Sequence, residues 1–147
     1  MAEVGGIIRL ACPMGNAKIK QGEFIMAAQD KDVADFISTL LHSGTVTHFM
    51  HLSTDSFAVH MALGGYYTEI SELVDNFAEA YSGAYQKIKT FPENFHNAKD
   101  PVRYLDSICD YVEKNRKAMP DDSQLQNIID EIVAQIDTTL YKLTRLK

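Results

Sequence analysis

The feature that most constrains the fold is a run of apolar residues at helical spacing near the C-terminal end. Apolar side chains recur there every three or four residues, which is the repeat of one face of an α-helix. The members are Leu125, Ile128, Ile129, Ile132, Val133, Ile136, Leu140 and Leu143. A helix with such a face must bury it against other elements. The chain therefore has to supply partner helices, and no segment shows the strict apolar–polar alternation of a half-buried strand.

Two further helix signals lie in the first part of the chain. One helix is predicted from Asp30 to about His51, with a weak stretch at Gly44 and the β-branched residues 45–47. A second helix is predicted from about Asp55 to Tyr81. Its expected buried positions are Phe57, Met61, Ile70, Val74, Phe77 and Tyr81.

The remaining helix signals complete an all-α prediction. Asp100-Pro101 is typical of an N-cap followed by the first helical residue, and it opens a third helix to about Ala118. The longer connection before it is expected to hold a short helix around 84–89. We predict a four-helix bundle over 30–147, preceded by an irregular N-terminal arm over 1–29 that is rich in glycine.

Composition narrows the class of protein. The hydrophobic fraction of 46% with 23% charged residues is that of one globular domain. The net charge of −6, with both signs mixed along the chain, argues against a surface devoted to nucleic acid, and Lys18 and Lys20 in the arm are weak support for DNA contact. No apolar run approaches the roughly 20 residues of a membrane helix. Cys12 and Cys109 lack ligand-like spacing and are expected to be reduced thiols in a cytosol-like compartment.

Four metal-competent residues lie on the first two predicted helices. They are His48, His60, Asp75 and Glu79, whose imidazole and carboxylate groups suit iron, zinc or manganese. His60 and Asp75 are fifteen residues apart, so within one helix about 22 Å separates them. One ion can join them only if two copies of the second helix pair antiparallel about a two-fold axis near residue 68. Gly64 and Gly65 lie near that crossing, where small residues let helices approach.

Plainer interpretations stay open for each of these residues. The two histidines could be core or interface residues whose ring nitrogens bond backbone carbonyls, and the two carboxylates could form a solvated helix face. The sequence favours surface positions for His42 and His51. The alternative is that either one is a spare ligand of the metal site. Glu93-x-x-His96 mimics a ligand pair of di-iron bundles but has no second copy.

The spacing of the four residues resembles that of a known family. His48-x11-His60-x14-Asp75-x3-Glu79 is similar to the ligand spacing of Dps mini-ferritins. The resemblance implies a ferritin-like four-helix subunit, a hollow dodecameric shell, oxidation of ferrous iron at those four residues and iron storage. Met61 and Gly64 stand where that family usually carries carboxylates, which implies a weakened ferroxidase site or a zinc site. Such a divergent version resembles ferritin-like proteins of tailed phages.

Three functions follow as hypotheses from these patterns. The leading one is a Dps-like, iron-binding oligomer with a weakened ferroxidase site shared across a two-fold interface. The alternative is a non-catalytic helical bundle that builds a shell or a virion-associated assembly, with a vestigial metal site. A DNA-protecting binder acting through the N-terminal arm is the third. The expected location is cytoplasmic, in the host cytoplasm or the virion if the source is viral.

Overall fold

A computed structural model describes residues 23–93 and 95–146, and these residues form four α-helices and no strand. The helices are α1 (Glu23–Ser53), α2 (Phe57–Ala84), α3 (Pro101–Asn115) and α4 (Ser123–Arg145), with a 3₁₀ turn at Arg116–Ala118. The prediction of an all-α fold is confirmed for these residues. α1 begins at Glu23, earlier than the expected Asp30, while the rest of the predicted arm lies outside the described residues.

Side-chain caps fix where two of the helices begin. The Asp100 carboxylate accepts hydrogen bonds from the backbone N–H groups of Val102 and Arg103 at 3.0 and 3.1 Å, as the sequence predicts for an N-cap. Ser56 caps α2 by accepting from the N–H of Val59 at 3.3 Å. At the start of α4, the carboxylate of Asp122 instead accepts from the Tyr85 hydroxyl just beyond α2.

One hydrophobic core is shared by all four helices. Phe36 of α1 lies against Phe77 of α2 and Tyr111 of α3, with ring centroids 5.4 and 6.2 Å apart. The predicted apolar face of α4 is confirmed, because four of its members are completely buried and the others pack against the core. The completely buried members are Leu125, Ile129, Ile132 and Ile136.

The predicted buried face of α2 is wrong at its N-terminal end. Phe57 and Met61 are 78% and 58% exposed, whereas the four later positions, Ile70, Val74, Phe77 and Tyr81, are buried. In the first turns of α2 the core is filled by Leu63 and Tyr66 instead. Phe57 and Met61 fall on the opposite side of the helix, which faces solvent along its whole length.

Contacts between helices establish their directions. Phe36 of α1 meets Phe77 of α2, and Ser43, two turns farther along α1, meets the Tyr66 hydroxyl at 2.8 Å. α1 and α2 are therefore antiparallel. Phe36 also meets Tyr111 near the end of α3, while His42 lies beside His96 and thus near the start of α3. α3 consequently runs antiparallel to α1 and parallel to α2.

The connection between α2 and α3 runs along the side of α1. Gln86 bonds to Asp30, the Ser38 hydroxyl donates to the carbonyl of Pro92 at 3.3 Å, and His42 bonds the backbone of His96. This path returns the chain to the far end of the molecule, so that α3 can begin there. The predicted short helix around 84–89 is wrong: α2 ends at Ala84, and the described residues of the connection hold no helix. An extended chain covers such a distance with fewer residues than a helix, which rises only about 1.5 Å per residue.

Residues 44–47, the weak stretch of the first predicted helix, are helical in the structure. A Cβ atom on Gly44 would lie 3.2 Å from Cγ2 of Ile70 and 3.7 Å from the carbonyl oxygen of Tyr67. Glycine is needed here because α1 and α2 pass too close for a larger residue without a shift of Ile70. Within the described part of the chain, no helix is long and apolar enough to span a bilayer.

Candidate functional site

Four ring-bearing side chains meet where α1 ends and α2 begins, and we call them the histidine cluster: His48, His51, His60 and Tyr67. His48 stacks on Tyr67 with ring centroids 4.0 Å apart and planes inclined by 14°. His51 stacks on His60 at 3.7 Å and 21°. The ring of His51 also meets Tyr67 at 5.3 Å with its plane nearly perpendicular, so the two stacks form one group.

The stacked pair of His51 and His60 is held by two reciprocal hydrogen bonds. Nδ1 of His51 lies 2.7 Å from the carbonyl oxygen of His60, and Nδ1 of His60 lies 3.0 Å from the carbonyl oxygen of His51. A carbonyl oxygen can only accept, so each Nδ1 carries the hydrogen and donates it. In the neutral ring the lone pair is then on Nε2, which is the tautomer suited to binding a cation.

Gly64 makes the space that the His51 ring occupies. A Cβ atom on Gly64 would lie 3.2 Å from Cε1 and 3.3 Å from Nδ1 of that ring. Its neighbour Gly65 is different, since a Cβ atom there would meet nothing within 4 Å. Of the two glycines, Gly64 therefore permits close packing of α2 against the His51 ring, and Gly65 does not contribute to it.

The four residues of the predicted metal site are only partly brought together. His48 and His60 both belong to the histidine cluster and are joined through His51. Asp75 and Glu79 are exposed on α2, and Asp75 lies two turns, or about 12 Å, beyond Tyr67. Among the described residues, no three histidine, cysteine or carboxylate side chains are grouped so that they could hold a metal ion. A site containing all four residues requires a second copy of the chain, as the sequence-based hypothesis assumed.

His51 is the residue that sequence reasoning underrated. The sequence favours a surface position for His51, with a spare-ligand role as the alternative. In the structure it is half-buried and makes contacts with every other member of the cluster. Two signals were available: His48 and His51 are three residues apart and so share a helix face, and Gly64 leaves an opening on the neighbouring helix.

The exposed face of α2 divides into two chemically distinct halves. From Phe57 to Thr68 the sequence has no acidic residue, and Phe57 and Met61 expose large apolar side chains. From Glu69 to Ala84 it has no basic residue and carries exposed carboxylates. Those carboxylates are Glu69, Glu72, Asp75 and Glu79.

A second histidine pair lies where the connection crosses α1. The rings of His42 and His96 are 4.5 Å apart, the backbone N–H of His96 bonds Nε2 of His42 at 3.0 Å, and the His96 ring bonds the Tyr104 hydroxyl at 2.8 Å. Partial burial, and secondarily the nearby His42, hold the pKa of His96 below its ordinary value. This pair ties the connection to α1 and to the start of α3.

Comparison with known proteins yields two matches. The model of a family of unknown function, DUF5856, matches residues 51–143, from the end of α1 through most of α4. The chain is also 25% identical over 128 residues to an uncharacterized 14.6 kDa protein of Enterobacteria phage T4, encoded in the mobD-ri intergenic region. That alignment covers 86% of this chain and 98% of the T4 protein. No solved structure matches the chain.

These matches correct the predicted resemblance to Dps mini-ferritins, which is wrong. The family that matches is DUF5856, and no Dps or ferritin-like family matches the chain. The resemblance rested on four residues at intervals that two helices of a hairpin can produce for unrelated reasons. Two carboxylates of the Dps pattern were already replaced by Met61 and Gly64. Iron oxidation and storage were implied by that resemblance alone and lose their basis with it.

Proposed function

The chain belongs to DUF5856, a family of unknown function, and we propose that it is a self-associating structural protein whose α2 helices pair antiparallel about a two-fold axis. The observation that carries this proposal is the divided exposed face of α2. The finer fold that we propose is a four-helix bundle with one long crossover. It is supported by the shared core and by the parallel directions of α2 and α3.

The apolar end of the face supplies a reason to associate. Leu52, at the end of α1, is 69% exposed, and with Phe57 and Met61 it leaves a large apolar area in water. Three such side chains gain roughly 25 cal/mol for each Å² that a partner covers. Apolar surface concentrated in this way marks interaction sites more often than scattered surface residues do.

The acidic end of the face selects the antiparallel arrangement. In a parallel pair, the four carboxylates of one α2 would lie beside the same four of the other, and like charges at such distances repel. In an antiparallel pair centred near Thr68, each acidic half lies beside the half that bears His60 and Met61. Thr68 and Gly65 at the centre are small enough for two helices to approach closely.

Sedimentation velocity at micromolar concentration tests the proposal. We expect the wild-type chain to sediment as a dimer or a larger assembly, and the double variant Phe57→Ser, Met61→Ser to sediment as a monomer with unchanged helix content. The matched control is Tyr141→Ser on α4, which removes a side chain that is 56% exposed and should leave the assembly intact. A monomeric wild type, or equal effects of the two changes, would refute the proposal.

The similarity to a phage T4 protein supports a place for this chain among phage-encoded proteins. Self-association fits a component of an assembly. A role in DNA binding stays a prediction, and the lysines on which it depends, Lys18 and Lys20, lie outside the described residues.

A further inference from the structure

We propose that the outer face of α1 is a docking surface for an amphipathic, positively charged helix of a partner protein. The surface consists of Leu41, Thr45 and Phe49 of α1 together with Phe91 and Phe95 of the connection, and we call it the α1 surface. Docking there does not depend on the proposed self-association, which uses a different patch centred on α2.

The C-terminal half of α1 lacks charged side chains on every side. From Phe36 to the end of the helix at Ser53 the sequence has no aspartate, glutamate, lysine or arginine, although 23% of the whole chain is charged. One side of this stretch is buried in the core, but Leu41, Thr45 and Phe49 are exposed. The outer face of a bundle helix ordinarily carries charged and polar side chains, and a helix without such a face is ordinarily covered all round. α1 therefore has the composition of a helix that packs against a further partner.

The connection adds two exposed aromatic rings to this face. Phe95 is 77% exposed, and Phe91 and Phe49 are each 51% exposed. Leu41, Thr45, Phe91 and Phe95 line one groove of about 680 Å³ between α1 and the connection. That volume is in the range of pockets that bind ligands. Apolar surface that is concentrated in this way, and not scattered, marks an interaction site.

Hydrogen bonds and a ring contact hold the groove in its shape. The Ser38 hydroxyl donates to the carbonyl of Pro92 at 3.3 Å, and the His42 ring meets the Phe95 ring at 5.1 Å with the planes inclined by 65°. His42 also bonds the backbone of His96. A partner therefore meets walls that are already formed, so less conformational entropy is lost on binding.

The spacing of side chains along α1 indicates a helix as the occupant. Leu41, Thr45 and Phe49 recur every four residues, so neighbouring side chains lie about 6 Å apart along the axis. Apolar side chains on one face of a partner helix recur at the same distance, which lets the ridges of one helix fit into the grooves of the other. An amphipathic helix in an apolar groove is a recurring mode of peptide recognition.

Charge selects among the occupants that could cover this face. Glu93 lines the groove, and among the described residues no ion pair includes its carboxylate. The net charge of −6 also attracts a basic partner. A second copy is disfavoured, because a two-fold contact at the groove would bring two Glu93 carboxylates together. An anionic membrane is disfavoured, because helices that bind its surface rely on lysine and arginine, and α1 contains one lysine, Lys31, and no arginine.

The test is fluorescence anisotropy with a labelled synthetic helix of about 18 residues, with leucine on one face and lysine and alanine on the other. We expect Phe95→Ser and Phe49→Ser each to weaken its binding by at least about tenfold, because each removes an aromatic anchor. Glu93→Gln should weaken binding by about threefold, and more at low salt than at high salt. Two control peptides should bind much more weakly: one with the same residues rearranged so that leucine has no single face, and one with glutamate in place of lysine.

The matched control variant is Phe57→Ser, Met61→Ser, which removes exposed apolar side chains from the self-association patch. It should leave peptide binding unchanged. A loss there as large as in Phe95→Ser, unchanged binding by Phe95→Ser and Phe49→Ser, or equal binding of the rearranged peptide would refute the docking surface.

Two other occupants would also overturn the assignment. One is a second copy, if Phe49→Ser dissociates the wild-type assembly in sedimentation. The other is a membrane, if the wild type binds vesicles of anionic phospholipid and Phe49→Ser abolishes that binding. Far-UV circular dichroism establishes that each variant is folded.

Discussion

Gly64 and Gly65 are neighbours in the sequence but differ in their surroundings, and this difference can be measured. A Cβ atom on Gly65 meets nothing within 4 Å, so Gly65→Ala should raise the unfolding free energy by about 0.5–1 kcal/mol through better helix propensity. Gly64→Ala should gain less or destabilise the protein, because the ring of His51 must move. Urea unfolding of both variants at a concentration that keeps the chain monomeric checks this, and equal gains would contradict it.

His96 makes stability depend on pH in a definite direction. Its pKa is lowered in the folded protein, from an ordinary value of 6.5, first by burial and then by His42. As the pH falls below 6.5, the unfolded state therefore binds a proton before the folded state does. The unfolding free energy should fall as the solution is acidified, and His96→Gln should reduce that fall while its amide can still bond Tyr104. Urea unfolding between about pH 5 and 7 measures how the unfolding free energy of the wild type and of His96→Gln changes with pH. Equal changes in the two proteins would show that His96 contributes nothing.

At the scale of single residues, the sequence predicted which side chains are of a metal-binding type. It did not predict which of them lie together in the fold. The sequence drew attention to His48 and His60 as metal-competent, and the structure places both in one cluster. His51 was missed because its place in the cluster depends on the backbone carbonyl of His60 on another helix. The spacing within one helix carries no information about such a contact.

The start of α3 depends on a single side chain. Asp100 satisfies two backbone N–H groups that have no partner within the helix, so Asp100→Ala should lower the unfolding free energy by about 1 kcal/mol. Its ion pair with Arg103, at 3.6 Å between exposed groups, adds little. Asp121→Ala, an exposed change near the start of α4, is the control for loss of a carboxylate. Thermal or urea unfolding checks the comparison, and equal effects would rule out a special role for the cap.

Helices with a long apolar repeat were predictable from the sequence, and the parts that depend on other elements were not. α3 begins at Pro101, as its Asp100 cap predicted, and the apolar face of α4 is buried, as its spacing predicted. Capping and periodicity are both local properties of the sequence. Phe57 and Met61 follow the helical repeat of α2 closely enough to look buried, yet none of the other described helices covers that side. The connection between α2 and α3 has no helix because of the distance that it must cross. The composition of residues 84–89 contains no information about that distance.

For the whole molecule, self-association should couple stability to protein concentration. If the α2 faces pair only in folded chains, mass action raises the melting temperature as the concentration increases. We expect this rise for the wild type between micromolar and hundred-micromolar samples, and none for Phe57→Ser, Met61→Ser. Differential scanning calorimetry measures both, and a melting temperature of the wild type that does not change with concentration would count against a dimer linked to folding.

The long connection also determines how the molecule would behave after its chain is cut. Lys87 and Lys89 are exposed in a stretch without helix, so trypsin should cleave there before it cleaves the helices. Each fragment would retain one helical hairpin, α1 with α2 or α3 with α4, and each hairpin would present half of a core that only the other can cover. We expect the nicked protein to elute as one species in size-exclusion chromatography and to separate into two fragments only in denaturant. If the two fragments separate in native buffer, the connection, and not the shared core, holds the two hairpins together.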